Sequence, residues 1–397
     1  MTDRPVAVTG LGCVSACGLN LAENTATLFG APPAPRPPER FTCGHETSYP
    51  VFAVPEAFFE RHPREPELFD TSLFALAAAQ EAFNSAGLPQ SRLPGLRVGV
   101  CIGTTVGASL NFQEYYRRFK SGENPGPVHI RRYLESNPAR VLATRFGLSG
   151  PAQTVVNACS SGTDAIGIGA GWIRQGLCDI ALVGGADELT PITYNGFISL
   201  QITSEGPCRP FDALRNGLNL GEGAGMLVLE SQKHAASRRA PLRGGVLGYG
   251  TCADAHHLTA PRPDGQGLCS ALRDAVQRSD IEPREIGFVN VHGTATTNND
   301  VAEGAVLFDL FPHTPLSATK GCTGHTLGAA GALEAIFTLV CLHREELPAS
   351  KGCEQPDPAC RVSPVRERTA CPARYALSQS LAFGGNNSAL VFRREDA

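Results

Sequence analysis

The stretch Val155-Val156-Asn157-Ala158-Cys159-Ser160-Ser161-Gly162, which continues through Thr163 as Asp164-Ala165-Ile166-Gly167-Ile168-Gly169-Ala170-Gly171, decides the fold. A short apolar run passes through a polar turn into a helix very rich in glycine and alanine. Glycine inside a helix costs about 1 kcal/mol relative to alanine, so this helix is weak alone and needs neighbours pressed against it. A second segment repeats the order. Leu316-Ser317-Ala318-Thr319-Lys320-Gly321-Cys322-Thr323-Gly324-His325 leads into Leu327-Gly328-Ala329-Ala330-Gly331-Ala332. Two copies of strand, polar turn and small-residue helix imply a duplicated fold.

Outward from these units, short β-branched runs alternate with longer helical stretches, the pattern of an α/β protein. Strands are expected at 5–9, 97–102, 153–157, 180–184, 226–230, 242–249, 287–291, 376–382 and 388–393. The last two flank Gly384-Gly385 and read as a hairpin. Helices are expected at 71–86, 138–146, 161–175, 267–278, 300–310 and 326–343. The polar stretch near 234–243 is the expected seam between an N-terminal half, 1–238, and a C-terminal half, 239–397.

The 397 residues are 42% hydrophobic and 18% charged, enough to bury a large core without disulfide staples. With 34 Lys+Arg against 38 Asp+Glu, the net charge of −4 gives no general attraction to nucleic acid or anionic lipid. The 14 cysteines include no C-x-x-C pair, which suits a reduced interior. No signal peptide or unbroken apolar span of membrane length is read, so a cytoplasmic location is expected. Gly10-Leu11-Gly12-Cys13-Val14-Ser15 imitates a dinucleotide fingerprint. However, its third glycine is Ser15 and Pro-rich sequence follows, so it reads as a tight turn.

Cys159 lies between a strand and a helix N-terminus, where free N–H groups and the helix dipole would lower its pKa and favour a nucleophilic thiolate. Its own N–H could donate to an oxyanion. Position alone equally fits a buried small hydrophobe. Val289-Asn290-Val291-His292-Gly293-Thr294-Ala295-Thr296 ends a strand on a histidine beside small polar residues, which suits a site or a solvated strand end. Lys320 and His325 occupy the turn of the second unit. If the halves are related by an approximate dyad, that turn faces Cys159.

Asn157-Ala158-Cys159-Ser160-Ser161-Gly162, Gly184-Gly185-Ala186-Asp187-Glu188, His292-Gly293-Thr294-Ala295-Thr296, the block Lys320 to Gly331 and Phe383-Gly384-Gly385-Asn386-Asn387 occur in one order over nearly the whole chain. Together they resemble the β-ketoacyl-(acyl carrier protein) synthases of the elongating type. The resemblance implies a thiolase fold, a five-layered α-β-α-β-α architecture from two duplicated halves, and a homodimer or a heterodimer with a related chain. It implies that Cys159 takes an acyl group from a carrier thioester while the Cys159 and Phe383 N–H groups hold the oxyanion. Malonyl carrier then loses CO₂, His292 and His325 stabilise the enolate, and the enolate attacks acyl-Cys159 to give a 3-oxoacyl carrier. Lys320 and Glu303 match the supporting pair, Phe383, Gly384 and Gly385 the gating loop, Val106 and Phe197 the acyl pocket, and Thr294 and Thr296 the pantetheine or malonyl contacts. No metal or organic cofactor is implied.

Acyl carrier proteins are acidic, so a local basic patch is expected, and Arg117, Arg118, Lys120, Arg131 and Arg132 are the candidates, with a solvated helix face as the bland reading. The usual Gly-Phe-Gly-Gly-Thr-Asn of the family reads Ala382-Phe383-Gly384-Gly385-Asn386-Asn387 here. Asn157 and the segment after Phe197 also depart from housekeeping members, which points toward a polyene or polyketide system. The alternative within the family is the non-catalytic chain-length-factor subunit, against which Cys159 argues. A cysteine hydrolase would not need the second histidine and lysine, and a thiolase would need a second cysteine near the C-terminal loop.

Overall fold

The computed structural model describes residues 5–105 and 113–395. Val106 lies outside them. Ten strands form one mixed sheet: β1 (Val6–Ser15), β2 (Val98–Gly103), β3 (Ala152–Val155), β4 (Ile180–Asp187), β5 (Gly223–Ser231), β6 (Gly244–Ala253), β7 (Ile286–Asn290), β8 (Leu316–Ser317), β11 (Tyr375–Ala382) and β12 (Asn386–Arg393). A separate two-stranded ribbon pairs β9 (Glu346–Leu347) with β10 (Thr369–Ala370).

The strand order is β3-β2-β4-β5-β1-β6-β12-β11-β7-β8. Counted inward from each edge, both halves place their third, second, fourth, fifth and first strands in the same sequence, which is the topological signature of duplication. Within the sheet the halves are joined where β1 pairs with β6, Val6 to Val8 running antiparallel to Gly244 to Val246.

Strand alternation produces the layers, because successive side chains point to opposite faces. Ala181 and Val183 face an inner core that also takes in helices Ser161–Gln175 and Ala330–Arg344, whereas Ile180 and Leu182 face an outer core with helices Asp70–Ser85 and Pro138–Phe146. In the other half, Leu390 and Phe392 face the inner core, while Ala389 and Val391 face an outer layer that includes Gln266–Arg278 and Thr297–Leu310. The result is α-β-α-β-α.

The glycines of the two central helices explain themselves by contact. A Cβ on Gly162 would meet the Gly328 carbonyl oxygen at 2.7 Å, and one on Gly331 would meet Thr163 Oγ1 at 2.0 Å. Only small residues let these helices approach so closely, and burial on all sides offsets their poor intrinsic propensity. The segment Leu327–Arg344 is long and apolar enough to cross a membrane, but it is largely buried as this central core element.

The Gly10-Leu11-Gly12 turn is corrected here. The chain stays extended through Ser15, with a bulge between Val8 and Gly10, and pairs with β5 throughout. A Cβ on Gly10 or Gly12 would meet the Ala82 or Ala78 carbonyl oxygen at 2.1 or 2.2 Å. The glycines serve close helix-on-strand packing, a use of glycine in strands that turn statistics miss.

Candidate active site

Cys159 sits in the elbow between β3 and helix Ser161–Gln175, and the preceding Ala158 has φ 48°, a left-handed conformation unusual for alanine. The elbow is held from several directions. Asn157 N–H donates to Ser161 Oγ at 2.7 Å, while Asp164 accepts from Asn157 Nδ2 at 2.6 Å and from Ser160 Oγ at 2.9 Å. On its other oxygen Asp164 takes the hydroxyls of Tyr249 and Ser388, so the second half of the chain braces the elbow too. Such over-determination is what keeps a strained turn in place.

His325 Nε2 lies 3.1 Å from Cys159 Sγ, and the His292 and His325 rings meet edge to face with centroids 5.2 Å apart. The three side chains therefore converge, each nearly buried. His325 is carried by the loop before helix Ala330–Arg344, where Gly221 N–H donates to the His325 carbonyl at 2.9 Å and His325 N–H donates to the Asn219 carbonyl at 2.8 Å. Asp187, at the end of β4, stitches the facing turns together by accepting from Thr104 Oγ1, Thr105 N–H and Gly328 N–H at 2.6, 2.7 and 2.6 Å.

At this helix start the Cys159 pKa is raised rather than lowered. Burial pushes the thiol up to about 12, against smaller opposing effects of Lys320 and of a hydrogen bond from the Phe383 N–H. Desolvation of a charge outweighs a helix terminus when the sulfur is enclosed. The resting sulfur thus carries its proton and sits beside an imidazole that can take it. Burial, reinforced by the Lys320 charge, pushes both histidines well below the usual imidazole range, so both rings are neutral.

Lys320 stands behind His292 rather than beside Cys159. Its ammonium contacts His292 Nδ1 at 3.2 Å, the His292 carbonyl at 2.5 Å and the Glu334 carboxylate. Lys320 and Glu303 both hold His292, but from different sides. Glu303 accepts from the N–H groups of His292 and Gly293 at 2.6 and 2.8 Å and from the side-chain amides of Asn299 and Gln379. It fixes the backbone under His292, whereas Glu334 fixes the lysine. Sequence reasoning missed Glu334, whose signal was a lone acid in the otherwise apolar run Ala330 to Leu342.

Phe383 follows β11 and opens the tight β11–β12 turn, in which Gly384 and Gly385 have φ 82° and 78°, values that suit glycine. The Phe383 ring stacks on Phe197 at 5.4 Å, and Phe197 in turn meets His325 edge-on at 6.5 Å. A cavity of about 450 Å³ reaches Cys159, His292, His325 and Phe383, and its lining includes the polar groups Gln201, Asn216, Thr294, Thr296 and Asn298 beside the apolar Phe197, Ile202 and Leu218. The Thr294 and Thr296 hydroxyls lie 2.9 Å apart.

Residues 3–235 match the N-terminal domain of the β-ketoacyl synthases, and 243–354 match the C-terminal domain. The chain belongs to the β-ketoacyl synthase family. It is 32% identical to 3-oxoacyl-[acyl-carrier-protein] synthase 2 of Synechocystis sp., covering 99% of both chains. Among solved structures it is similar to the ishigamide ketosynthase/chain length factor, with TM-score 0.92 and 33% identity over 99% of this chain and 100% of that one. It is also similar to a chain of a type II polyketide acyl-carrier protein in complex with its ketosynthase bound to the hexaketide, with TM-score 0.89 and 28% identity over 99% and 100%. The architecture is the thiolase fold, and the chain is an acyltransferase of the 3-oxoacyl-(acyl carrier protein) synthase type.

The basic candidates do not form one free patch. Arg132 donates to the Leu68 carbonyl at 2.7 Å and lies over the Phe69 ring, and Arg118 pairs with Glu123. Arg117, Lys120 and Arg131 are exposed on helices Gln113–Lys120 and Val128–Glu135.

Proposed function

We propose that this chain condenses an acyl thioester with malonyl-(acyl carrier protein), with loss of CO₂, through Cys159, His292 and His325. The single observation that carries the reading is the convergence of one thiol and two neutral imidazoles at the end of one cavity.

In the first step the Cys159 sulfur attacks the acyl thioester carbonyl while His325 Nε2 takes its proton, and the N–H groups of Cys159 and Phe383 hold the tetrahedral oxyanion. The proton passes to the departing carrier thiol. In the second step malonyl carrier loses CO₂, and the enolate oxygen accepts from the Nε2–H of His292 and, once its single ring hydrogen has moved from Nδ1 to Nε2, from that of His325. Both are neutral, and their dipoles are aimed where charge develops. The enolate carbon attacks acyl-Cys159, the carbon–sulfur bond breaks, and the released thiolate takes up one proton from water to restore the thiol. Thr294 and Thr296 lie where a pantetheine arm would pass, and Phe197 and Phe383 cover the acyl side. The halves 1–238 and 239–397 then supply the nucleophile and the imidazoles respectively.

The partners in this reading are an acyl carrier protein, docking near Arg117, Lys120 and Arg131, and a second ketosynthase-like chain, identical or related. The edge strand β3 is exposed, as are Tyr116, Phe119, Val128 and Leu134, which supports an apolar contact with such a chain. A fatty acid or polyketide pathway in the cytoplasm is its setting. The deciding experiment is intact mass spectrometry after incubation with acyl-carrier thioester. An acyl adduct that disappears in Cys159→Ala supports condensation, whereas folded protein that never acylates identifies the non-catalytic subunit.

A further inference from the structure

We propose that Asn386 is a specificity-determining positioning residue: its side-chain amide keeps Phe383 closed over Cys159 and so favours short acyl groups over long ones. The inference rests on the reading of Cys159 as the acyl acceptor.

The peptide group between Phe383 and Gly384 is held at both ends. Its carbonyl accepts from Asn386 Nδ2 at 3.1 Å, and its N–H donates to the Leu258 carbonyl at 2.7 Å. The Phe383 side chain cannot swing away by rotation of this peptide unless both bonds break. The rest of the turn is tied down separately, through Asp254 N–H to the Gly385 carbonyl at 2.7 Å and Asn387 Nδ2 to Asp254 Oδ1 at 2.8 Å. Asn386 is therefore the one side chain in the turn that bonds the hinge peptide of the aromatic itself.

Closure matters because of where an acyl chain must go. Cys159 is 4% exposed. The cavity that reaches it is lined by polar side chains such as Gln201, Asn216 and Asn298 as well as by apolar ones, among them Phe197, Leu218 and Phe383. The apolar direction from the sulfur is the cluster of Phe197, Tyr194, Leu218, Leu220 and Leu327, against which Phe383 packs. A two-carbon acyl group fits at the sulfur with the rings stacked, whereas a long one requires the Phe383–Phe197 pair to part. Every hydrogen bond that resists this parting is charged to the long substrate alone.

The test measures acylation of Cys159 by acetyl- and octanoyl-pantetheine thioesters, followed by intact mass. Removing the amide in Asn386→Ala is expected to raise the octanoyl-to-acetyl rate ratio by about three- to tenfold, the range one neutral hydrogen bond supports, with the acetyl rate changed less than about twofold. Asn386→Asp, equal in size but unable to donate, should shift the ratio the same way and stands in if the alanine variant folds poorly. An unchanged or lowered ratio while the wild type acylates overturns the role of Asn386 and leaves the condensation reading standing. Failure of wild-type Cys159 to acylate with either thioester overturns both.

Discussion

Lys320 and His292 are joined twice, because the ammonium lies 3.2 Å from the ring Nδ1 and 2.5 Å from the carbonyl oxygen of the same residue. An ammonium has three donors and no acceptor, and the third goes to Glu334. Nδ1 must therefore accept, which places the ring hydrogen on Nε2, facing the site. The lysine acts on the reaction through the tautomer of His292. Lys320→Ala should lower malonyl-carrier decarboxylation by about 10²-fold or more, the scale of losing one oriented donor. Glu334→Gln, which keeps an acceptor for the lysine, should cost less than about tenfold. Equal losses in CO₂ release would remove the tautomer argument.

Cys159 and the histidines separate the two half-reactions. Cys159→Ala should abolish condensation yet still release CO₂ from malonyl carrier, since Lys320 and Glu303 hold His292 independently of the sulfur. His292→Ala should reduce CO₂ release by about 10²–10³-fold while Cys159 still acylates. Radiolabelled CO₂ release and intact mass read the two steps independently.

Because burial pushes the Cys159 thiol up to about 12, its alkylation by iodoacetamide should rise about tenfold per pH unit from pH 7 to 10. A plateau below pH 9 would mean that the thiol pKa is lowered below its ordinary value and that burial does not dominate.

Glu303 links the site to stability. Burial, with Asp300 adding to it, pushes its pKa from the ordinary 4.5 up to about 7. The folded state then binds the proton more tightly than the unfolded chain, so this contribution to stability is complete below about pH 4.5 and is lost as the pH rises to 7. Glu334 acts in the same direction. In Glu303→Gln the fall in urea midpoint between pH 4.5 and 7 should be shallower than in the wild type, and an identical slope would contradict the shift.

Close packing at the central helices gives a purely steric test. A Cβ on Gly328 would lie 2.5 Å from the Thr105 backbone nitrogen and 2.6 Å from Thr104 carbon atoms. Gly328→Ala should destabilise by about 1–3 kcal/mol, read as a lower denaturant midpoint. Gly171, with open space at its Cβ, should tolerate alanine or gain from it.

The duplication, the helices at Pro138–Phe146 and Ser161–Gln175, the hairpin around Gly384 and Gly385, and the blocks that carry Cys159, His292, Lys320 and His325 were all legible in the chain, and folding brings those four residues together. These are local matters, since periodicity, turn chemistry and the order of short blocks are written within a few residues of one another. Only the tertiary structure decided that Gly10 and Gly12 stay in a strand, because the helix backbone that demands them lies some seventy residues away. It likewise decided that Lys320 reaches Glu334, and that the Cys159 sulfur keeps its proton at rest. A charge pair and a desolvation penalty depend on which distant atoms surround a group in space, and the chain's order does not specify those neighbours until it has folded.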